Sequence, residues 1–313
     1  MNASLLPIAD MSYLDIMASE QSNMGMHFWI ASKDFIYDGI DCAGLSRLRV
    51  YSPKLLLNAV ASDCNRLAIA SCESFCGITV GNLERNGLAW TIIRLYYATF
   101  FAVHALARLF GHSCTNVSPE HAKIIEDLLS LNSPQVTKVK KGTYDFYCTP
   151  DGAYSTFTSI DHSHVGAWKI FVKIIDNIKE NIEPLSTTSQ NKLSIIETLD
   201  VVRYAVGAQG SNMTAWLSNF RNDVNYQHRH NAWYPSKIGK GLSKCLPTVP
   251  TVWKLSNYRY SYPVDSGVLS FFHRSSIVLR FFYDVVIACE IKNNGAGKIL
   301  KNGFFKLLRS IKC

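Results

Sequence analysis

The segment Trp90–Phe110 reads WTIIRLYYATFFAVHALARLF, and it decides which fold we expect. As a helix, it would carry apolar and aromatic residues around nearly its whole circumference, which is typical of the central helix of a bundle. Three basic residues interrupt it, Arg94, His104 and Arg108. Each arginine near the middle of a bilayer would cost roughly 2.5–3.5 kcal/mol. We therefore expect a buried core helix rather than a membrane span.

Helix-start signals lie on both sides of this segment. Serine followed by proline occurs at Ser52-Pro53 and at Ser118-Pro119, where the serine can cap a helix and the proline suits its first turn. The spacing of apolar residues predicts helices in four further segments, residues 163–181, 192–206, 211–230 and 265–291. The chain is therefore expected to contain roughly seven or eight helices.

Two stretches depart from helical spacing. Aromatic and β-branched residues in Met26–Tyr37 predict one or two short strands. In residues 136–160, two runs rich in aromatic residues and threonine flank the turn signal Pro150-Asp151-Gly152, which predicts a β-hairpin. The expected fold class is all-α, a helical bundle with an inserted β-hairpin and short N-terminal strands.

The same signals suggest a division of the chain into three parts. They are a mixed N-terminal segment (1–50), a helical domain (51–235) that contains the hairpin, and a loop followed by a C-terminal helical segment with a basic tail (236–313). We find no internal repeat and no low-complexity tract in the sequence.

Composition narrows the classes of function. The net charge of +8 permits a polyanionic partner without requiring one. The nine cysteines include no CxxC pair, so zinc-site spacing is missing, and free thiols in a reducing compartment are expected. The N-terminus does not resemble a secretory signal. We expect a cytoplasmic protein that uses no metal or other cofactor.

The residues that suggest chemistry lie in the segment LSNFRNDVNYQHRHNAWYP, residues 217–235. At 100° per residue, Arg221, Asn225 and His228 share one helix face. Leu217, Phe220 and Val224 lie next to that face and can face a core. Histidine exchanges protons near neutral pH, and arginine offers a rigid fork of donors to phosphate oxygens. Because RNA supplies its own nucleophile, the ribose 2′-OH, this trio suits cleavage of RNA without a metal ion.

An Arg–His spacing of this kind is expected by chance in a chain of this composition, so its context matters. The run Tyr96-Tyr97-Ala98-Thr99-Phe100, followed by Ala105-Leu106, resembles the YYAxF helix of the HEPN family of helical domains. Ribonucleases of that family carry, in a later helix, an arginine, a polar residue that is often asparagine, and then a histidine. Arg221-Asn222 followed by His228 is similar to this motif and falls in the same order along the chain.

The resemblance covers about residues 55–235 and implies an endoribonuclease that leaves a 2′,3′-cyclic phosphate. It implies Arg221, Asn222 and His228 as catalytic residues, with Asn225, Tyr226 and His230 in supporting positions. It also implies a homodimer that acts as a toxin or antiviral defence effector, with RNA and a cognate antitoxin or defence protein as partners. Arg229-His230 follow His228, where some toxin members of the family place a tyrosine.

Two alternatives stay open at the level of sequence. The chain could be a non-catalytic HEPN-like module for dimerisation or partner binding, with a structural role for the Arg–His pair. The residues expected to contact RNA through stacking and charge could instead pack a loop against the bundle; they are Arg229, Trp233, Tyr234 and Lys237. Histidines 104, 162 and 164 are interpreted as structural or surface residues.

Overall fold

The computed structural model describes residues 3–12, 24–76, 78, 80–131, 138–160, 162–207, 215–233, 252, 255, 258–263, 266–292 and 298–310. A 3₁₀ helix, Ala3–Met11, comes first. The α-helices are α1 (Met26–Ser32), α2 (Pro53–Cys76), α3 (Val80–Leu109), α4 (Pro119–Ser130), α5 (Ser163–Glu180), α6 (Ser189–Val206), α7 (Trp216–Gln227), α8 (Gly267–Lys292), α9 (Lys298–Asn302) and α10 (Phe304–Ser310). The strands are β1 (Phe35–Ile40), β2 (Ser46–Val50), β3 (His112–Val117), β4 (Gly142–Cys148) and β5 (Tyr154–Ser159).

The expected all-α class is wrong, because the five strands form one antiparallel sheet in the order β1-β2-β5-β4-β3. The hairpin of β4 and β5 is not an isolated insertion. It lies inside the sheet, where β2 pairs with β5 and β3 pairs with β4. A lone hairpin is marginal in water, and the added strands give it the neighbours it needs. The protein is therefore a mixed α/β structure.

Side chains alternate across this sheet. Tyr144, Phe146 and Cys148 of β4 are buried on the face that packs against helices α1, α2 and α4. Asp145 lies between them in sequence, so its side chain points to the opposite face. That face of β3 and β4 is covered by α5.

Two helices begin where the serine–proline signals predicted. Helix α2 begins at Pro53 and α4 at Pro119. The Ser118 hydroxyl accepts a hydrogen bond from the backbone N–H of His121, which is the expected N-cap. Helix α3, which contains the run Trp90–Phe110, is interrupted at Gly87, where φ is 74° and ψ is 160°. Glycine adopts this conformation at little cost.

Buried apolar side chains form two clusters. The larger one lies among the helices and contains most of α3 and α8. The smaller one lies between the sheet and helices α1, α2 and α4. Helix α2 belongs to both, since Leu56 and Val60 contribute to the smaller cluster and Ala68 and Phe75 to the larger one.

The apolar run that sets the fold is a core helix. Within the described residues, Gly87–Leu109 is the one stretch that is long and apolar enough to cross a membrane. In the apolar 18-residue stretch of this helix, 83% is buried inside the protein. This position agrees with the expected buried helix and is consistent with a soluble protein.

Candidate functional site

Helix α7 carries Arg221, with His228 directly after its end, and one side of the helix is buried. Leu217, Phe220 and Val224 are buried in the larger cluster, as their spacing predicted. The helix packs against α3 and α8. This contact brings the two parts of the family resemblance, the YYAxF run of α3 and Arg221 of α7, next to each other.

The Arg221 side chain is buried among aromatic rings. Arg221 is 5% exposed. Its guanidinium carbon lies 4.9 Å from the ring centre of Tyr96, 5.7 Å from that of Tyr97 and 5.9 Å from that of Tyr226. Rings at these distances attract a cation. Tyr226 is itself 69% exposed, so the guanidinium lies just beneath the surface.

Arg221 differs from the three other buried arginines of the described residues. Arg108 donates to the carbonyls of His104 and Cys114, Arg274 donates to three backbone carbonyls, and Arg280 donates to the carboxylate of Asp284. Arg221 has no carbonyl or carboxylate partner among the described residues, and its Nε, like that of Arg108, is buried without a hydrogen bond. A buried cation without such partners is costly, so this position favours an anion that the protein binds.

The histidine next to Arg221 is His164, at the start of α5. Its Nδ1 lies 2.9 Å from the hydroxyl of Tyr96, so Tyr96 connects it to the Arg221 group. Burial lowers the pKa of His164, and the positive charge of Arg221 lowers it further. Burial raises the pKa of Tyr96, while Ser218, Trp168 and Arg221 act to lower it.

Sequence reasoning missed His164 because the signal is not local. The residue is 57 positions before Arg221 in the chain, and it comes close only because α3 packs against both α5 and α7. Its place before the helix at 163–181 suggested a residue of the cap region. In the structure it is a half-buried member of the Arg221 group.

His228, the predicted partner of Arg221, has a different neighbour. It is the exposed C-cap residue of α7, with φ at 52°. The centre of its ring lies 5.7 Å from that of Trp233. Seven residues of helix also span roughly 10 Å along the axis. Arg221 lies on α7 and His228 directly after its end, and their side chains pack against different parts of the protein.

The segment after α7 has an unusual backbone. His228, His230 and Asn231 all have positive φ, at 52°, 66° and 49°. Left-handed conformations cost roughly 1–2 kcal/mol for each residue that has a side chain, although histidine and asparagine adopt them more often than most. Such outliers gather at functional sites, where the surrounding structure holds them.

Contacts around Asp223 and Trp233 hold this segment. His230 stacks on Phe220 with ring centres 4.1 Å apart, and its Nε2 lies 3.6 Å from Asp223. Arg229 lies 3.6 Å from the same carboxylate. The indole N–H of Trp233 donates to the carbonyl of Val224 at 2.7 Å. These contacts fix the turn that presents His228.

The remaining predicted residues are placed as follows. Asn222 and Asn225 of α7 are half-buried. Tyr226 belongs to the Arg221 group through its ring. The predicted RNA contacts Tyr234 and Lys237 lie outside the described residues.

No family model, curated protein or solved structure matches this chain. The candidate site therefore stands on its own geometry, which combines Arg221, Tyr96 and His164 with the histidine-bearing turn after α7. Among the described residues, there is also no group of three or more His, Cys, Asp and Glu side chains arranged to hold a metal ion.

Proposed function

We propose that this chain is an endoribonuclease in which Arg221 stabilises the phosphate group during cleavage. The observation that supports this role is the burial of the Arg221 guanidinium without a carbonyl or carboxylate partner among the described residues. A phosphodiester would supply the missing negative charge. Donors that are already in place where charge develops in the transition state are an effective means of catalysis.

The proposed reaction uses the ribose of the substrate as nucleophile. The 2′-oxygen attacks phosphorus and loses its proton to a base, while the bond to the 5′-oxygen breaks and that oxygen receives a proton from an acid. The products are a 2′,3′-cyclic phosphate and a 5′-hydroxyl. His164 is suited to the role of base, because its lowered pKa keeps the imidazole neutral at pH 7. His228, on the exposed turn that follows α7, is the proposed acid.

The family resemblance extends the proposal to the biological setting. It favours a cytoplasmic homodimer that acts as a toxin or antiviral defence effector on cellular RNA, with a cognate antitoxin or defence protein as partner. The cysteines support the reducing compartment, since none of the seven cysteines of the described residues forms a disulfide.

A second candidate function is that of a non-catalytic module for dimerisation or partner binding. The observation that favours it is an exposed aromatic side chain beside the site. Trp90 is 57% exposed, and its ring meets that of Trp233 edge to face at 5.8 Å. Aromatic residues of this kind are enriched in protein interfaces.

The test is cleavage of total RNA by the purified protein in buffer with EDTA. Arg221→Met should slow cleavage by about 10²–10³-fold, as for other groups that stabilise developing charge. His164→Ala should slow it by about 10²–10⁴-fold, the range for a general base. His162→Ala is the matched control, because His162 is exposed and two residues from His164, and it should cleave like wild type.

Two results would overturn the nuclease proposal. One is a wild-type protein that leaves RNA intact, which would favour the second candidate. The other is an Arg221→Met variant that cuts as fast as wild type. A product that carries a 3′-phosphate only, with no cyclic intermediate at early times, would contradict the role of the 2′-OH.

A further inference from the structure

A cleft of about 580 Å³ lies between α5 and the β3–β4 edge of the sheet, apart from the Arg221 group. Its size falls in the range of pockets that hold small molecules. Apolar walls come from Phe110 and Val172, and an aromatic one from Tyr147. The polar groups that line it come from His112 of β3 and from the exposed side of α5.

A buried histidine–carboxylate pair lies at this cleft. His112 is 7% exposed and Asp145 is 6% exposed. Their strands are neighbours, and both residues lie on the sheet face covered by α5, because Asp145 pairs directly with Cys114, two residues after His112. The Nδ1 of His112 lies 2.9 Å and 3.2 Å from the two carboxylate oxygens of Asp145.

This pairing determines what the other ring nitrogen can do. Because Nδ1 donates to Asp145, the ring is held in one orientation, as in metal sites where a carboxylate accepts from the far ring nitrogen of a ligating histidine. The Nε2 of His112 has no hydrogen-bond partner among the described residues, and His112 lines the cleft. A protonated ring would donate from Nε2 into the cleft, with Asp145 balancing its charge.

Helix α5 adds cations to the same cleft. Lys169 and Lys173 are four residues apart, so they lie on one face of the helix, and both line the cleft. Two carboxylates, Asp176 and Glu180, line it further along the helix. Asp176 is engaged by Arg203, whose Nε and Nη2 lie 2.7 Å and 3.3 Å from its oxygens.

We propose that this cleft binds a small phosphomonoester whose organic part is aromatic or apolar. A phosphomonoester carries nearly two negative charges and three acceptor oxygens at pH 7. Lys169 and Lys173 supply donors and positive charge for it, and His112 adds a donor at Nε2 when its ring is protonated. Tyr147 with Phe110 and Val172 can contact the organic part. The proposal uses none of the residues of the RNA site, so either can fail without the other.

The experiment follows the ring resonances of His112 by NMR in the full-length protein. Phenyl phosphate and inorganic phosphate should both shift them, and phenyl phosphate should bind more tightly because of its ring. Lys173→Ala should weaken phenyl phosphate binding by about three- to fivefold, as for a partly exposed charge. Calorimetry with His112→Gln should show a loss of at least about tenfold, the effect of a hydrogen bond to a charged group.

Matched controls make the outcomes distinct. Lys123→Ala removes an exposed helical lysine on α4, which packs against the opposite face of the sheet, and it should leave binding unchanged. Unmoved His112 resonances with both phosphate compounds would overturn the proposal. So would benzoate binding as tightly as phenyl phosphate, or equal losses in Lys123→Ala and Lys173→Ala. Because Lys173 is exposed, its variant tests the cleft even if His112→Gln fails to fold.

Discussion

Replacing Arg221 by methionine should leave the free energy of unfolding within about 1 kcal/mol of wild type, which is unusual for a buried arginine. The change removes attraction to three aromatic rings, each worth roughly 0.5–2 kcal/mol between the exposed and the desolvated limit. It also removes the cost of burying a cation, which is several kcal/mol. Methionine can refill the space and contact the rings through its sulphur.

Arg280→Met is the matched comparison. Arg280 is 1% exposed and also lies against two tyrosine rings, 5.4 Å from Tyr258 and 5.7 Å from Tyr283. Its Nε, however, donates to Asp284 at 2.9 Å, and Asp284 is 1% exposed. Removing the arginine leaves a buried carboxylate without its cation, so we expect a loss of about 3–5 kcal/mol.

The assay is urea unfolding at pH 7, followed by circular dichroism, with the slopes compared to check that each transition is two-state. The losses in free energy of unfolding can be compared directly between the two variants, because both remove a buried guanidinium from an aromatic environment. If Arg221→Met lost 3 kcal/mol or more, Arg221 would be a structural residue like Arg280. The case for an anion site at Arg221 would then fail.

Two further predictions concern acid stability and the turn after α7. Burial lowers the pKa of His104 well below its usual value, the positive charge of Arg108 lowers it further, and His164 adds to the shift when it is protonated. The folded state therefore resists protonation of His104 more than the unfolded state does. Stability is complete above about pH 6.5 and falls below it, by at most about 1.4 kcal/mol per pH unit for one group. Urea unfolding between pH 7.5 and 5 should show this loss, and an equally steep loss in His104→Leu would assign it elsewhere. Trp233→Phe removes the hydrogen bond to Val224 and should lower the free energy of unfolding by about 1 kcal/mol in the same assay. RNA cleavage should also slow, since the Trp233 ring lies next to that of His228. Unchanged stability would show that water replaces the lost bond.

The helices could be predicted from local signals, whereas most of the sheet could not. Ser52-Pro53 and Ser118-Pro119 mark helix starts that depend only on capping and on the geometry of proline. Strand β3, by contrast, reads HSCTNV and has no alternation of apolar and polar residues. It is a strand because β4 offers it a partner, and pairing between segments that are distant in sequence leaves little trace in a single sequence.

The same distinction applies to the candidate site. The spacing of residues 217–228 correctly predicted the buried face of Leu217, Phe220 and Val224, but it placed Arg221 and His228 on one helix, whereas α7 ends before His228. It could not show that α7 ends at Gln227, so that His228 caps the helix and its ring turns towards Trp233. Nor could it show that α5 brings His164 to Tyr96, because that contact depends on the packing of three helices.

Helix α2 joins the two apolar clusters of the molecule, so we expect them to unfold cooperatively. The N-terminal half of this helix belongs to the sheet and its C-terminal half to the bundle. A continuous helix shared in this way couples unfolding of the sheet to unfolding of the bundle, because neither half of the helix can unwind without exposing the apolar side of the other. We therefore expect sheet and bundle to melt in one transition, and the slowest amide protons of the chain to lie in the middle of this helix.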